Sequence, residues 1–439
     1  MINVVKLLSR NPVLQIALPA IISNITVPLL GLVDVAIVGH MGSAVYIGAI
    51  AVGGLLFNII YWIFGFLRMG TSGMTSQAFG SRNLDETVQL LVRSVATGLL
   101  IGAALIVLQY PLLKLAFAVL HPEPEVVQMA SLYFRILIWG APAVLGLYAF
   151  AGWYIGMQNT RIPMLIAIVQ NVVNIAVSLC LVYGLGMQVE GVAIGTLVAQ
   201  YAGLLLSVLF WNRYFKPLRQ RIKLTGLWDR KVMLRFFAVN RDIFLRTLCL
   251  VAVTLFFTSA SASQGAVILA VNTLLMQLFT LFSYFMDGFA YAGEALVGKY
   301  VGSRNSFGIR HTVNQLFRWG VGISLVFALL YAAGEDVFFN TLTNDAAVIH
   351  EAGLYSFWAM AIPLAGFAAF LWDGIYIGAT ATRYMLSSMM LAMLSFFAVY
   401  FILRNSLGNH ALWFAFIVYL SIRGFIQSVL AGKAIISIK

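Results

Sequence analysis

The chain has 439 residues, 62% of them hydrophobic and 10% charged, against roughly 45–50% and about 25% in soluble domains. A soluble fold of this length cannot hide so much apolar surface, so lipid must be the solvent for much of it, which excludes an ordinary soluble enzyme. The formal net charge of +12 would raise nucleic acid as a partner in a soluble protein. Here the Lys and Arg cluster in short breaks between apolar runs, where the positive-inside rule accounts for them without nucleic acid.

A membrane span needs about 20 mostly apolar residues. Twelve such runs follow one another, near 14–38, 46–70, 91–119, 127–156, 162–186, 191–212, 243–263, 266–294, 316–342, 350–378, 384–404 and 410–432. The first follows Lys6 and Arg10 in the manner of a signal peptide, but it runs through Asp34 into further spans with no soluble domain behind it. It therefore reads as a span and not as a cleaved segment. The longest polar stretch, Asn212 to Asp242, separates spans six and seven.

Alternate connections differ in charge. One set holds Lys6, Arg10, Arg82, Arg161, Lys299, Arg304, Arg310, Arg383, Lys433 and Lys439, and the central linker adds Arg213, Lys216, Arg219, Arg221, Lys223, Arg230, Lys231 and Arg235. The other set has Lys114 and Arg404 and carries Glu123, Glu125, Glu190, Glu335, Asp336, Asp345 and Glu351 instead. Both termini and the linker are expected on the cytoplasmic side.

The two halves repeat. Gly80-Ser81-Arg82-Asn83 recurs 222 residues later as Gly302-Ser303-Arg304-Asn305. At the same offset Gly152, Tyr154, Ile155, Gly156, Thr160 and Arg161 recur as Gly374, Tyr376, Ile377, Gly378, Thr382 and Arg383. Val126, Ala130, Leu132 and Tyr133 match Val348, Ala352, Leu354 and Tyr355, and Gly186 matches Gly408. Six spans separate the copies, an even number, so both enter the membrane in the same direction. The expected fold is an all-α membrane protein: twelve transmembrane helices in two parallel six-helix lobes, 1–225 and 226–439, around a central cleft whose rocking gives alternating access.

Ionisable residues within the apolar runs carry the functional signal, since each costs about 2.5–3.5 kcal/mol on insertion scales and so faces protein or water. Asp34 lies in Leu29-Leu30-Gly31-Leu32-Val33-Asp34-Val35-Ala36-Ile37-Val38. Desolvation disfavours its charged form, so it could exchange a proton near physiological pH or bind a cation when ionised; a structural hydrogen-bond acceptor is the alternative. Arg68 either pairs with an acid or snorkels to the surface. Arg241, Asp242 and Arg246, at the mouth of span seven, read as interfacial salt bridges. Asp287 and Glu294 are two helical turns apart and share a face. Asp373 and Arg423 give the second half its own charges, as a buried pair or as substrate contacts.

Met276, Phe279, Phe282, Tyr284, Phe285 and Met286 could line a cleft for apolar or cationic ligands, although lipid-facing packing produces the same composition. Cys180 and Cys249 read as small buried hydrophobes. His40, His121, His311, His350 and His410 are scattered without metal-ligand spacing, so no metal site or other cofactor is expected. There is no phosphate-binding loop with Gly-Lys-Ser/Thr through which ATP could power the chain.

Together these stretches resemble the multidrug and toxic compound extrusion (MATE) family, in particular its DinF-type branch. The pieces are Ile25-Thr26-Val27-Pro28-Leu29-Leu30-Gly31-Leu32-Val33-Asp34, Leu67-Arg68-Met69 with Gln77-Ala78-Phe79-Gly80, and Asn240-Arg241-Asp242. Asp287-Gly288-Phe289-Ala290-Tyr291-Ala292 with Glu294, and Asp373-Gly374 with Ile377-Gly378-Ala379-Thr380, continue the match, which runs from Asn11 to Gly424. The resemblance implies a bacterial inner-membrane exporter, sufficient as a monomer, that expels small organic substrates against an inward proton or sodium gradient.

In related transporters an Asp in span one, an Asn and an Asp in span five and a Thr in span six form the coupling site. By that pattern Asp34, Asn174 and Thr196 take three of the places and Ser178 stands where the second Asp is usual. One carboxylate in place of two favours proton coupling at Asp34 over Na⁺ held by Asp34, Asn174 and Thr196. Arg68, Met276, Tyr284, Asp287, Glu294 and Asp373 are the expected cavity residues. The cargo is then small amphipathic or cationic compounds. A flippase for lipid-linked oligosaccharide from the same superfamily is the alternative; it would carry more basic residues in the cavity and, in some cases, extra spans. A membrane-embedded enzyme or receptor would need clustered catalytic residues or a sizeable extramembrane domain, and neither is visible.

Overall fold

The computed structural model describes residues 11–39, 44–120, 123–222, 229–343 and 345–436. Lys6, Arg10, His40, His121, Lys223 and Lys439 lie outside the described residues, as does the expected lobe boundary between 225 and 226. Secondary structure among the described residues is helical. The first half runs as α1 (Pro12–Gly39), α2 (Ala44–Ile63), α3 (Phe66–Gly80), α4 (Leu84–Val107), α5 (Gln109–Leu120), α6 (Pro124–Leu137), α7 (Ala141–Gly156), α8 (Arg161–Leu179) and α9 (Val189–Tyr214). The second half runs as α10 (Arg230–Ala262), α11 (Ala266–Gly302), α12 (Ser306–Leu342), α13 (Ala346–Gly378), α14 (Thr382–Leu407) and α15 (Asn409–Ala431).

All twelve apolar runs coincide with helices. Among the described residues, eleven helical stretches are long and apolar enough to cross a membrane, including the broken pairs α2–α3 and α6–α7. The twelfth run is α1, 28 residues long. Helices are the only open way to cross hydrocarbon, because they satisfy every interior backbone donor and acceptor within one segment.

The repeated sequence blocks fold into repeated turns. Arg82 and Arg304 both take the left-handed conformation, at φ 58° and 53°. In each case the next residue's amide reaches back to close the helix end, Asn83 N to the Ala78 carbonyl and Asn305 N to the Tyr300 carbonyl, both 2.9 Å. That is the closure a left-handed C-terminal residue permits. The same asparagines then cap the following helices: Asn83 Oδ1 accepts from Glu86 N at 3.1 Å and Asn305 Oδ1 from Gly308 N at 2.8 Å. Gln158 and Thr380 form a second left-handed pair, φ 63° and 51°, although their side chains share no chemistry.

Helix packing repeats as well. In the first half α7 seats on α3: a Cβ at Gly152 would collide with the Arg68 carbonyl, and one at Gly156 with Thr75 and the Ser72 carbonyl. In the second half α13 seats on α11 in the same register: Gly374 abuts the Ala290 carbonyl and Gly378 the Glu294 carbonyl. Small residues let membrane helices approach backbone to backbone, which strengthens packing where lipid supplies no hydrophobic drive. Buried aromatics fasten each half from outside. Tyr154 donates to the Ser207 carbonyl and Tyr376 to the Gln427 carbonyl, both at 2.7 Å.

Among the described residues the helices gather into two compact units, one within 22–236 and one of 11–21 with 237–436. At Gly288 on α11 any side chain would strike Ile21 and the Ala17 carbonyl; the bare glycine lets the opening turns of α1 pack tightly on α11.

The glycine seats are testable. Gly152→Ala and Gly374→Ala should each cost about 1–3 kcal/mol through overpacking and lower the thermal unfolding midpoint of the detergent-purified protein. Gly322→Ala, at a position with nothing within 4 Å of the added methyl, should not. Equal midpoints for all three variants would contradict the close-packing account.

Candidate functional site

In the first unit, a polar group forms where α1, α8 and α9 meet. Asn174 and Ser178 are four residues apart on α8, so they share a face, and both are fully buried. Asn174 Nδ2 donates to Thr196 Oγ1 on α9 at 2.8 Å. Ser178 fits because its neighbour on α9 is Gly195, where a Cβ would overlap the serine hydroxyl. Asn171, one turn before Asn174, donates to the Thr26 carbonyl of α1 at 2.8 Å and ties α1 to α8. Asp34 of α1 is 6% exposed, and its carboxylate lies within hydrogen-bonding reach of Thr196. The structure thus gathers Asp34, Asn174, Ser178 and Thr196, the residues expected to act together.

The chemistry of the group is a shortage of hydrogen-bond partners. Asp34 Oδ1, Asn174 Oδ1 and Ser178 Oγ are buried without a hydrogen-bond partner among the described residues. A buried oxygen in that condition is costly, and a proton or small cation would relieve it. Tyr133 of α6, absent from the sequence reading as a site residue, lies close enough to feel the charge of Asp34. Its membership in the 222-residue repeat, paired with Tyr355, was the available signal.

The second unit holds a group of opposite character. Asp373 of α13 is buried, and both Arg246 of α10 and Arg423 of α15 donate through Nη2 to its Oδ2. Gln427, one turn beyond Arg423, donates to Oδ1 at 2.8 Å. Arg246, Asp373 and Arg423 are 7%, 5% and 2% exposed. The expected pairing of Asp373 with Arg423 is present, with a second arginine on the same oxygen. Arg246 pairs with Asp373 and not with Asp242. It lies sixteen residues into α10, which starts at Arg230, well before the apolar run that opens near 243. Arg241 and Asp242 do pair at 2.9 Å, and Asp242 also accepts from Thr382 at 3.1 Å.

The other expected residues are spread over both units. Arg68 is half-buried on α3, near the Tyr148 hydroxyl. Met276, Tyr284 and Asp287 are half-buried and Glu294 fully buried, all on α11, and Asp287 neighbours Tyr284. Cys180 is exposed and Cys249 half-buried, so the expectation that both cysteines are buried is corrected. An apolar thiol on the surface of a spanning helix faces lipid, which is as good a solvent for it as a core.

Known proteins match this architecture and sequence. The family model described as MatE matches residues 19–180 and 243–403, once in each half. The chain belongs to the MATE family. It is 37% identical over 418 residues to DNA damage-inducible protein F of Escherichia coli, covering 93% of this chain and 89% of that protein. It is 25% identical over 363 residues to the probable multidrug resistance protein NorM of Thermotoga maritima, covering 79% and 75%. The crystal structure of a MATE protein in a bent conformation superposes with a TM-score of 0.84 at 18% identity, covering 99% of this chain and 98% of the other. The MATE chain described here is accordingly an all-α membrane transporter of the DinF branch.

The Asp373 group predicts an asymmetry. Asp373→Asn leaves two buried guanidinium groups without a counter-charge and should cost about 3–5 kcal/mol, the range for breaking a buried pair. Arg246→Gln leaves a balanced one-to-one pair and should cost less than half as much. Thermal unfolding in detergent compares them; an Arg246→Gln protein as unstable as Asp373→Asn would contradict the charge-balance account.

Proposed function

We propose that this MATE transporter is a secondary antiporter that exports small amphipathic or cationic organic compounds in exchange for protons. The observation that carries the reading is the Asp34 group: one buried carboxylate whose Oδ1 lacks a hydrogen-bond partner, beside a carbonyl oxygen of Asn174 and a hydroxyl of Ser178 that lack one as well. Protonation of Asp34 supplies the missing donor and removes a charge that hydrocarbon disfavours. Deprotonation recreates the deficit. A group that is balanced in one protonation state and unbalanced in the other can bias a two-state carrier, since a ligand shifts an equilibrium only through its differential affinity for the two states. The carrier cycle we infer is alternating access by rocking of the two lobes.

With Ser178 where a second carboxylate is usual in the family, the group has one negative charge with which to hold a cation. That favours H⁺ over Na⁺ at Asp34, Asn174 and Thr196. The short turns carrying Arg82, Arg161, Arg304 and Arg383 support a cytoplasmic placement of those turns and of both termini in the inner membrane. One chain carries both halves of the repeat, so we infer a functional monomer.

Dye export from everted vesicles tests this reading. An imposed proton gradient should drive export by the parent protein, and Asp34→Asn should lose at least tenfold of that rate at equal expression. Export by Asp34→Asn at the parental rate removes Asp34 from coupling. Export that responds to a sodium gradient and not to a proton gradient replaces the proton assignment with Na⁺.

A further inference from the structure

The Arg246–Asp373–Arg423 group has twice as many cations as anions, and the imbalance is geometric as well as electrostatic. Both guanidinium groups approach a single carboxylate oxygen through one nitrogen each. A guanidinium normally meets an oxyanion as a two-pronged fork, with two parallel N–H donors. Neither does so here. Arg246 Nε and Arg423 Nε are both buried without a hydrogen-bond partner among the described residues. Asp373 Oδ1 accepts from Gln427 at 2.8 Å, while the two arginines share Oδ2.

Among the described residues, Asp373 is the carboxylate on both guanidinium groups; the other neighbours are neutral. Phe370 lies under the Arg423 guanidinium at 5.7 Å, the Tyr419 hydroxyl reaches both Met389 sulfur and Arg423, and Gln427 Oε1 is buried without a partner. Asp242, the nearest carboxylate along α10, is engaged with Arg241 and Thr382. The charges felt by Asp373 are those of Arg246 and Arg423, and the charged partner of Arg423 is Asp373.

We propose that Arg246 and Arg423 form an oxyanion-binding subsite of this transporter, with Asp373 as a resident counter-ion that holds both arginines until a second anion arrives. A bound carboxylate, sulfonate or phosphate monoanion makes the ratio two to two. One arginine keeps Asp373 and the other forks the ligand, so the Nε donors gain partners and the buried net charge falls to zero. Aromatic neighbours at Phe370 and Tyr419 suit an anion carried on an apolar body. The transporter therefore takes compounds bearing an acidic group, as free organic anions, zwitterions or acidic lipid headgroups. This rests on the reading of the chain as an exporter of organic compounds and adds a sign to one end of the cargo.

Equilibrium binding to the purified full-length protein tests it. Radiolabelled benzenesulfonate is the probe, in nanodiscs of phosphatidylcholine, with benzyltrimethylammonium as the cation of like size. The parent should bind benzenesulfonate, and Arg246→Gln and Arg423→Gln should each weaken that binding at least tenfold while benzyltrimethylammonium binding stays unchanged. Purified Asp373→Asn should gain more thermal stability from added benzenesulfonate than the parent does, because its subsite has lost the resident anion. In nanodiscs of phosphatidylglycerol, competition lost in both arginine variants identifies a lipid headgroup as the natural anion; competition by inorganic phosphate alone identifies a free one. Benzenesulfonate that fails to bind the parent, or binds the arginine variants as tightly, overturns the subsite. That result would leave proton-driven dye export through Asp34 untouched, so the two readings fail separately.

Discussion

Hydrocarbon offers no hydrogen bonds, and every polar group that a spanning helix carries must find its partner within the protein. Most of this chain obeys that demand with economy. Serine and threonine hydroxyls turn back onto carbonyls of their own helix, as Thr247 does to Ile243 and Ser261 to Phe257. Tryptophan and tyrosine reach across to a neighbouring helix, as Trp153 does to the Thr87 carbonyl at 2.8 Å and Trp372 to Ser428 at 2.7 Å. Asn272 and Asn409 satisfy each other reciprocally, and Trp413 joins them. Against that background two groups stand out: the Asp34 group leaves three buried oxygens without partners, and the Asp373 group sets two buried arginines on one carboxylate. A transporter whose interior were fully paired would have nothing left with which to recognise an ion or a charged compound.

The architecture was legible because lipid simplifies the code. A run of about 20 apolar residues can be little but a helix there, and all twelve were found. The duplication was legible because its marks sit in turns, where chemistry constrains identity. Arg82-Asn83 and Arg304-Asn305 must supply a left-handed residue followed by a side chain that caps the next helix. Gln158 and Thr380 show the limit of the method: the backbone repeats at 222 residues, but the side chains do not.

Site residues were legible to the degree that their helices began where hydropathy said they did. Asp34 was legible as a charge within an apolar run, Asn174, Ser178 and Thr196 through the family resemblance, and packing brings the four together. The partner of Arg246 was not legible, because α10 starts thirteen residues before the apolar run, inside a polar, basic stretch. Hydropathy reports solvent and not helix length, so it does not say which neighbour a charged residue near the start of a run will meet. Cys180 was misread for the converse reason: an apolar residue in a span says nothing about which side of the helix meets protein.

The glycine seats carry a consequence for how either unit can move. Between α3 and α7, and between α11 and α13, backbone rests on backbone with carbonyls lodged against Gly152, Gly156, Gly374 and Gly378. Side chains repack gradually; peptide planes do not. A helix held this way behaves like a tooth in a rack, with settings one turn apart, about 5.4 Å, and steep ground between them. These four seats therefore make α3 with α7, and α11 with α13, a rigid bar within each unit.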